Sequence, residues 1–185
     1  MVEVVGRLRD ERPWADHPLD LPLVHDLELA LTVGLADFTV RAARVGFHTY
    51  PHAECVDIGA AHQALVGVPV GRGWNAAIRE RLGGPAGCTH LREIARQMGP
   101  VMMQAAFSAR VRARRESGAA AVDDPQARAL LPLIADTCHV WESGGVAEQK
   151  LARGWRPGTM RTPIPALAHL PAPEETPTAK DPSAP

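Results

Sequence analysis

Residues 22–33, PLVHDLELALTV, alternate almost without interruption. Leu23, His25, Leu27, Leu29, Leu31 and Val33 fall on one side, while Asp26, Glu28 and Thr32 fall on the other. A period of two predicts a strand with one buried face. Such a strand fits an antiparallel sheet covered on one side. Residues 2–12 offer a neighbouring strand, with Val2, Val4, Gly6 and Leu8 on its apolar face. Residues 38–48 offer the other, after a turn at GLAD. Its alternation shifts near Ala42–Ala43, as a bulge would make it do. The prediction is a three-stranded meander, and His25 lies on its apolar face.

Helical periodicity follows. CVDIGAAHQALVG predicts a short helix over about 57–66, and GRGWNAAIRERLGG a second one closed by Gly83–Gly84. The longest helix opens after GGPAGCTHL, where Leu91, Ile94, Ala95, Met98, Met102 and Ala105 form an apolar stripe. Gly99–Pro100 is expected to kink or interrupt it, because proline lacks the backbone donor and crowds the preceding turn. SGAAAVDD reads as a loop, with Asp123 or Asp124 capping a helix to about Ala135. CHVWESGGVAEQK reads as a hairpin around Ser143–Gly144–Gly145. From Pro157 the chain is too rich in Pro, Ala and Thr to bury its own surface. The expected fold is therefore α+β: an N-terminal antiparallel β-meander packed against several α-helices, with a late β-hairpin. It would form one domain over 1–156, followed by an extended or disordered tail over 157–185.

Totals narrow the function. The chain has 185 residues, 45% hydrophobic and 22% charged, with a net charge of −1. Nothing in that balance suits nucleic acid or an anionic membrane. Arg110, Arg112, Arg114 and Arg115 read as a solvated helix end favoured by the helix dipole. No apolar run is long enough to span a membrane. The segment MVEVVGRLRDERPW is too charged for a secretory signal, which favours a cytoplasmic protein. Three cysteines then suggest reduced thiols rather than a disulfide framework.

Two of those cysteines adjoin histidines. Cys88 and His90 stand two apart behind a glycine cluster, where a helix begins. The positive end of a helix dipole favours negative charge at such a thiol. Thr89 is a plausible N-cap. Two helical residues two apart point about 200° from each other, so Cys88 and His90 converge only if Cys88 belongs to the preceding loop. Cys138 and His139 are adjacent and could converge in a turn. Together the four offer soft or borderline ligands suited to zinc or iron, though the spacing matches no familiar zinc finger. Cys55, with His48 and His52 upstream, is a further candidate. The plain alternatives are cysteines that pack as small hydrophobes and a His25 satisfied within the core. Asp26 faces away from His25 on a regular strand, so the two make no simple acid–base pair. The tryptophans and Met98, Met102 and Met103 read as packing. GVPVGRG lacks the lysine of a phosphate-binding loop, and no Ser-His-Asp order is recognisable.

VHDLELALTV, the segment from Cys55 to Ile94 and DTCHVW resemble the bacterial family known as domain of unknown function 2889, over roughly residues 2–150. Gly-Cys-Thr-His-Leu at Gly87–Leu91 is the most specific element, preceded by Gly73–Trp74 and RERLGG. His25–Asp26, Cys55 and Cys138–His139 also fall where the family pattern puts them. ERPWADHPLD departs from that pattern, which carries a longer segment with Lys and Tyr there. The resemblance implies that His25, Cys55, Cys88, His90, Cys138 and His139 belong together, and it implies no reaction.

The leading expectation is a small enzyme with a Cys/His-lined apolar pocket. Cys88 would be the thiolate and His90 or His139 the base, with His25 reaching in from the sheet. Alternatively, Cys55, Cys88, His90, Cys138 and His139 would hold zinc or iron. A small, mostly apolar organic substrate fits such a lining, and isomerisation, cyclisation or hydrolysis fits the groups. A homo-oligomer is compatible with the sequence. The competing expectation is a non-enzymatic metal-binding module, similar to an iron–sulfur scaffold but lacking its Gly-Cys-Gly and His-Cys orders, or a structural zinc domain.

Overall fold

A computed structural model describes residues 1–17, 20–118, 132, 134–155 and 163–170, with backbone only at residues 114 and 115. Most of the expected helix from Asp123 or Asp124 to about Ala135, the side chains of Arg114 and Arg115, and most of the tail beyond Pro157 lie outside these residues. The chain divides into two compact units, Met1–Ala113 and Arg114–Pro185.

The first unit opens with the antiparallel meander. Strands β1 (Val2–Glu11), β2 (Leu23–Val33) and β3 (Val40–Thr49) pair in the order β1-β2-β3. The alternation of β2 is realised: Leu27, Leu29, Leu31 and Val33 are each at most 2% exposed. Val33 faces Val40, and Thr32 then faces Ala42, so Arg41 is an extra residue on β3. This is the bulge, one residue earlier than the broken alternation implies. A second extra residue, His48, lies between the pairs Leu27–Phe47 and Asp26–Thr49. Asp26 points away from the apolar face, as expected. It accepts two hydrogen bonds from Arg7, Nε to Oδ1 and Nη2 to Oδ2, each 2.6 Å.

The residues after β3 form a long 3₁₀ helix, Ala53–Leu65, rather than a short helix from 57. Val68 and Val70 are then buried, and a bridge between Thr39 and Pro69 ties this stretch to the meander. Helix α1 spans Trp74–Leu82 and ends at Gly83, as its glycines predict. Helix α2 spans Thr89–Glu116 and lays its stripe on the sheet: Leu91, Ile94, Ala95, Met98 and Met102 join the same buried cluster as β2. Gly6 makes this approach possible, because a Cβ there would lie 2.5 Å from Ile94 Cγ2. The expected interruption at Gly99–Pro100 does not occur; α2 runs through both residues. Pro100 is on the exposed side, where water can satisfy the carbonyl it leaves without a donor. Gly99 admits the Trp74 ring, whose Nε1–H donates to the Ala95 carbonyl at 2.9 Å. Near the end of α2, Arg110 lies over the Phe38 ring, 5.3 Å from its centre.

In the second unit, CHVWESGGVAEQK does not form a hairpin. His139–Trp141 is a single 3₁₀ turn and Val146–Ala152 is a helix, α3. Ala, Glu, Gln, Lys and Leu favour the helix. The Glu148 carboxylate accepts from the Gly144 amide at 2.9 Å and fixes its start. Asp136 accepts from the Ser143 amide and hydroxyl at 2.9 and 2.8 Å, which closes the preceding loop. Trp141 and Trp155 meet at 6.5 Å between ring centres. No described helix is long and apolar enough to cross a membrane.

Candidate functional site

The site begins at an irregularity in the β1–β2 ladder. Asp10 faces His25, but Glu11 faces Leu23, so Val24 is an extra residue on β2. A bulge of this kind leaves backbone amides without ladder partners. The Asp10 side chain takes them. Its Oδ1 accepts from the Val24 amide at 3.1 Å and from the His25 amide at 2.5 Å. Its Oδ2 lies 2.8 Å from Nδ1 of the His25 ring. These bonds hold the Asp10 carboxyl below the usual aspartate range, the ring hydrogen bond first and the His25 amide second. If Nδ1 donates to Asp10, the neutral His25 ring keeps Nε2 as its acceptor.

Opposite stands the first turn of α2. Cys88, not Thr89, occupies the N-cap position: its carbonyl accepts from the Arg92 amide at 2.9 Å. Gly87 before it is extended and pressed against α1, where an added Cβ would lie 2.4 Å from the Leu82 carbonyl oxygen. Cys88 thus sits outside the helix, the condition under which it can meet His90. Its Sγ lies 3.9 Å from His90 Nδ1, at the long limit of a sulfur hydrogen bond. The His90 ring lies over that of His25, with centres 3.9 Å apart and planes inclined by 35°. Burial lowers the pKa of His90, and neighbouring His25 lowers it further, against the pull of Asp10. Asp10, His25, His90 and Cys88 form one chain of contacts across the sheet–helix junction. All four residues are half-buried.

Of the residues singled out in the sequence, His25, Cys88 and His90 therefore come together. Cys55 is a half-buried thiol on the 3₁₀ helix Ala53–Leu65. Cys138 and His139 lie in the second unit, both exposed, at the 139–141 turn. All three cysteines are free thiols. Among the described residues no three His, Cys, Asp or Glu side chains are grouped to hold a metal ion. Facing imidazoles direct their in-plane lone pairs past each other rather than at one point. Two residues escaped the sequence reading. Asp10 is separated from His25 by fourteen intervening residues, and only the strand register joins them. His62 is fully buried, and neither ring nitrogen closes a hydrogen bond, although the Ile58 and Gly59 carbonyls lie nearby. The helical spacing of Ile58, His62 and Leu65 was the available signal for its burial.

Fold and site define an α+β domain with an Asp–His–His–Cys cluster where its meander meets its longest helix. The chain belongs to the family described as Protein of unknown function (DUF2889), whose model matches residues 1–104. The match spans the meander, Cys55 and the whole cluster, and ends before Cys138 and His139. No curated protein and no solved structure matches the chain significantly.

Proposed function

We propose that the chain is a small-molecule enzyme in which Cys88 and His90 exchange a proton, with Asp10 and His25 as the support behind them. The carrying observation is the position of His90, between the Cys88 sulfur and the His25 ring. Its lowered pKa keeps His90 neutral at pH 7, so Nδ1 can take the thiol proton. Positive peptide dipoles at the start of α2 meet the resulting thiolate. The Asp10 charge favours the imidazolium formed beside it. In acyl transfer the thiolate adds to a carbonyl carbon, the π pair moves to oxygen and then expels a leaving group that takes the proton from His90, and a water deprotonated by His90 later displaces the thiol. In isomerisation the thiolate takes one substrate proton while His90 gives its proton to another atom of the same molecule. Isomerisation, cyclisation and hydrolysis all use that pair. A net charge of −1 favours a small organic substrate over nucleic acid, and reduced thiols suit a cytoplasmic setting.

The test is alkylation of the full chain by iodoacetamide, resolved by cysteine with mass spectrometry. Cys88 should react faster than the more exposed Cys138 at neutral pH, and His90→Ala should slow it about tenfold or more. A Cys88 no faster than Cys138 sinks the proposal. Zinc or iron bound one to one, and lost in Cys88→Ala without unfolding, would replace it with a metal centre.

A further inference from the structure

Strand β1 is an edge. Among the described residues it pairs with β2 alone. Ten residues give it about 33 Å of unpaired backbone. Natural edges are guarded by proline, charged side chains, bulges or brevity; Val2–Glu11 is long and has no proline, and its charges Glu3 and Arg7 flank Val5 with opposite signs. It exposes Val5, 51% accessible in mid-strand. Beside this edge runs a groove of about 460 Å³, floored by Val4, Leu8, Ile94 and Met98 and flanked by Val101, itself 50% exposed.

We propose that this edge pairs with itself: β1 of one copy joins β1 of a second, antiparallel, about a two-fold axis through Val5. The sequence is self-complementary in that register. Val5 meets Val5, and Glu3 meets Arg7, on the face away from α2. Val2 meets Leu8, and Val4 meets Gly6, on the face toward it. Arg7 uses Nε and Nη2 on Asp26, and Glu3 uses Oε2 on Arg44 of its own chain at 2.9 Å, so the contact across the axis would run from Arg7 Nη1 to Glu3 Oε1. Competing registers are poorer. An axis through Arg7 sets Arg7 against Arg7 and Glu3 against Glu11, and like charges opposite each other repel. An axis through Gly6 sets Val5 against Arg7 and Val2 against Asp10. Shifts that put the axis between residues send apolar side chains to the wrong face. The product is a six-stranded sheet in which the two exposed Val5 side chains pack against each other.

Sedimentation velocity on the full chain tests this. Wild type should sediment as a dimer. Val5→Lys places two ammonium groups at the axis and should weaken association on the order of tenfold or more, with an unchanged circular-dichroism spectrum because the site is exposed in the monomer and a melt lowered only by the lost contribution of the dimer. Val5→Cys, oxidised with diamide, should give a dimer linked between the two introduced thiols, identified by peptide mapping. A wild-type monomer, a dimer indifferent to Val5→Lys, or covalent dimers joined only through native cysteines overturns the proposal. None of these outcomes depends on Cys88 chemistry.

Discussion

The chain contains two cysteine–histidine pairs, and they live in different surroundings. Cys88 and His90 are half-buried, and each touches another member of a four-residue cluster. Cys138 and His139 are exposed residues at a short turn held by Asp136 and Ser143. The composition is the same, so residue type does not make the difference. What does is the element beneath. Cys88 caps a 28-residue helix whose first turn is anchored by Leu91, 0% exposed. The later pair sits on three residues of 3₁₀ structure, none of them buried. A site needs groups held in place by packing, and only the first pair has that foundation.

The largest expected contrast is in stability. Leu91→Ala removes a fully buried side chain directly beneath the cluster and should cost about 2–5 kcal/mol. Val140→Ala, at a position 47% exposed, should stay within about 0.5 kcal/mol. Urea unfolding of both variants checks this. Similar losses at both positions would erase the distinction between the pairs.

The same distinction explains what could be read in advance. The meander was legible because Leu27 to Val33 obey a strict local period, and the start of α2 because glycines precede an apolar stripe. The loop placement of Cys88 was legible as a condition for meeting His90. Asp10 was not, because a bulge at Val24 sets its partner and a bulge is a property of two paired strands. VWESGGVAEQK was misread as a hairpin because Gly144–Gly145 suits a hairpin turn as well as a helix start. Its outcome rests on Glu148 reaching back to the Gly144 amide. Gly99–Pro100 was misread for a related reason: a local breaker is outweighed when Trp74 packs on the glycine and the proline faces water.

A second contrast is chemical. His139→Ala should leave the alkylation rate of Cys138 within about twofold, whereas Cys88 depends on its neighbour by about tenfold or more. An equal response of both thiols would mean that proximity in sequence is enough and that the cluster adds nothing.

A third sharpens the comparison through pH. His62 and His90 both have folded pKa values below the ordinary imidazole value, mainly through burial. The unfolded chain therefore binds protons first as pH falls through about 6.5. Stability is complete above that value and declines below it. His62→Leu should flatten the slope between about pH 7 and pH 5. Thermal melts across that window decide it. An unaltered slope in His62→Leu would remove the buried ring as its source.

The smallest expected effect is at Asp10, where the comparison turns on one charge. Asp10→Asn keeps an acceptor for the Val24 and His25 amides, so the bulge and the melting temperature at neutral pH should change little. It removes the carboxylate from the His25 ring and the one nearby charge that favours imidazolium at His90. The His90 titration, followed by its imidazole NMR signals, should therefore move to lower pH. The sign follows from electrostatics: losing an anion beside a base makes its protonated form harder to reach. The same variant predicts a Cys88 alkylation profile displaced in pH rather than abolished, since His90 Nδ1 remains in place. An unmoved His90 titration would mean that Asp10 only closes the bulge, and the cluster would shrink to Cys88, His90 and the ring of His25.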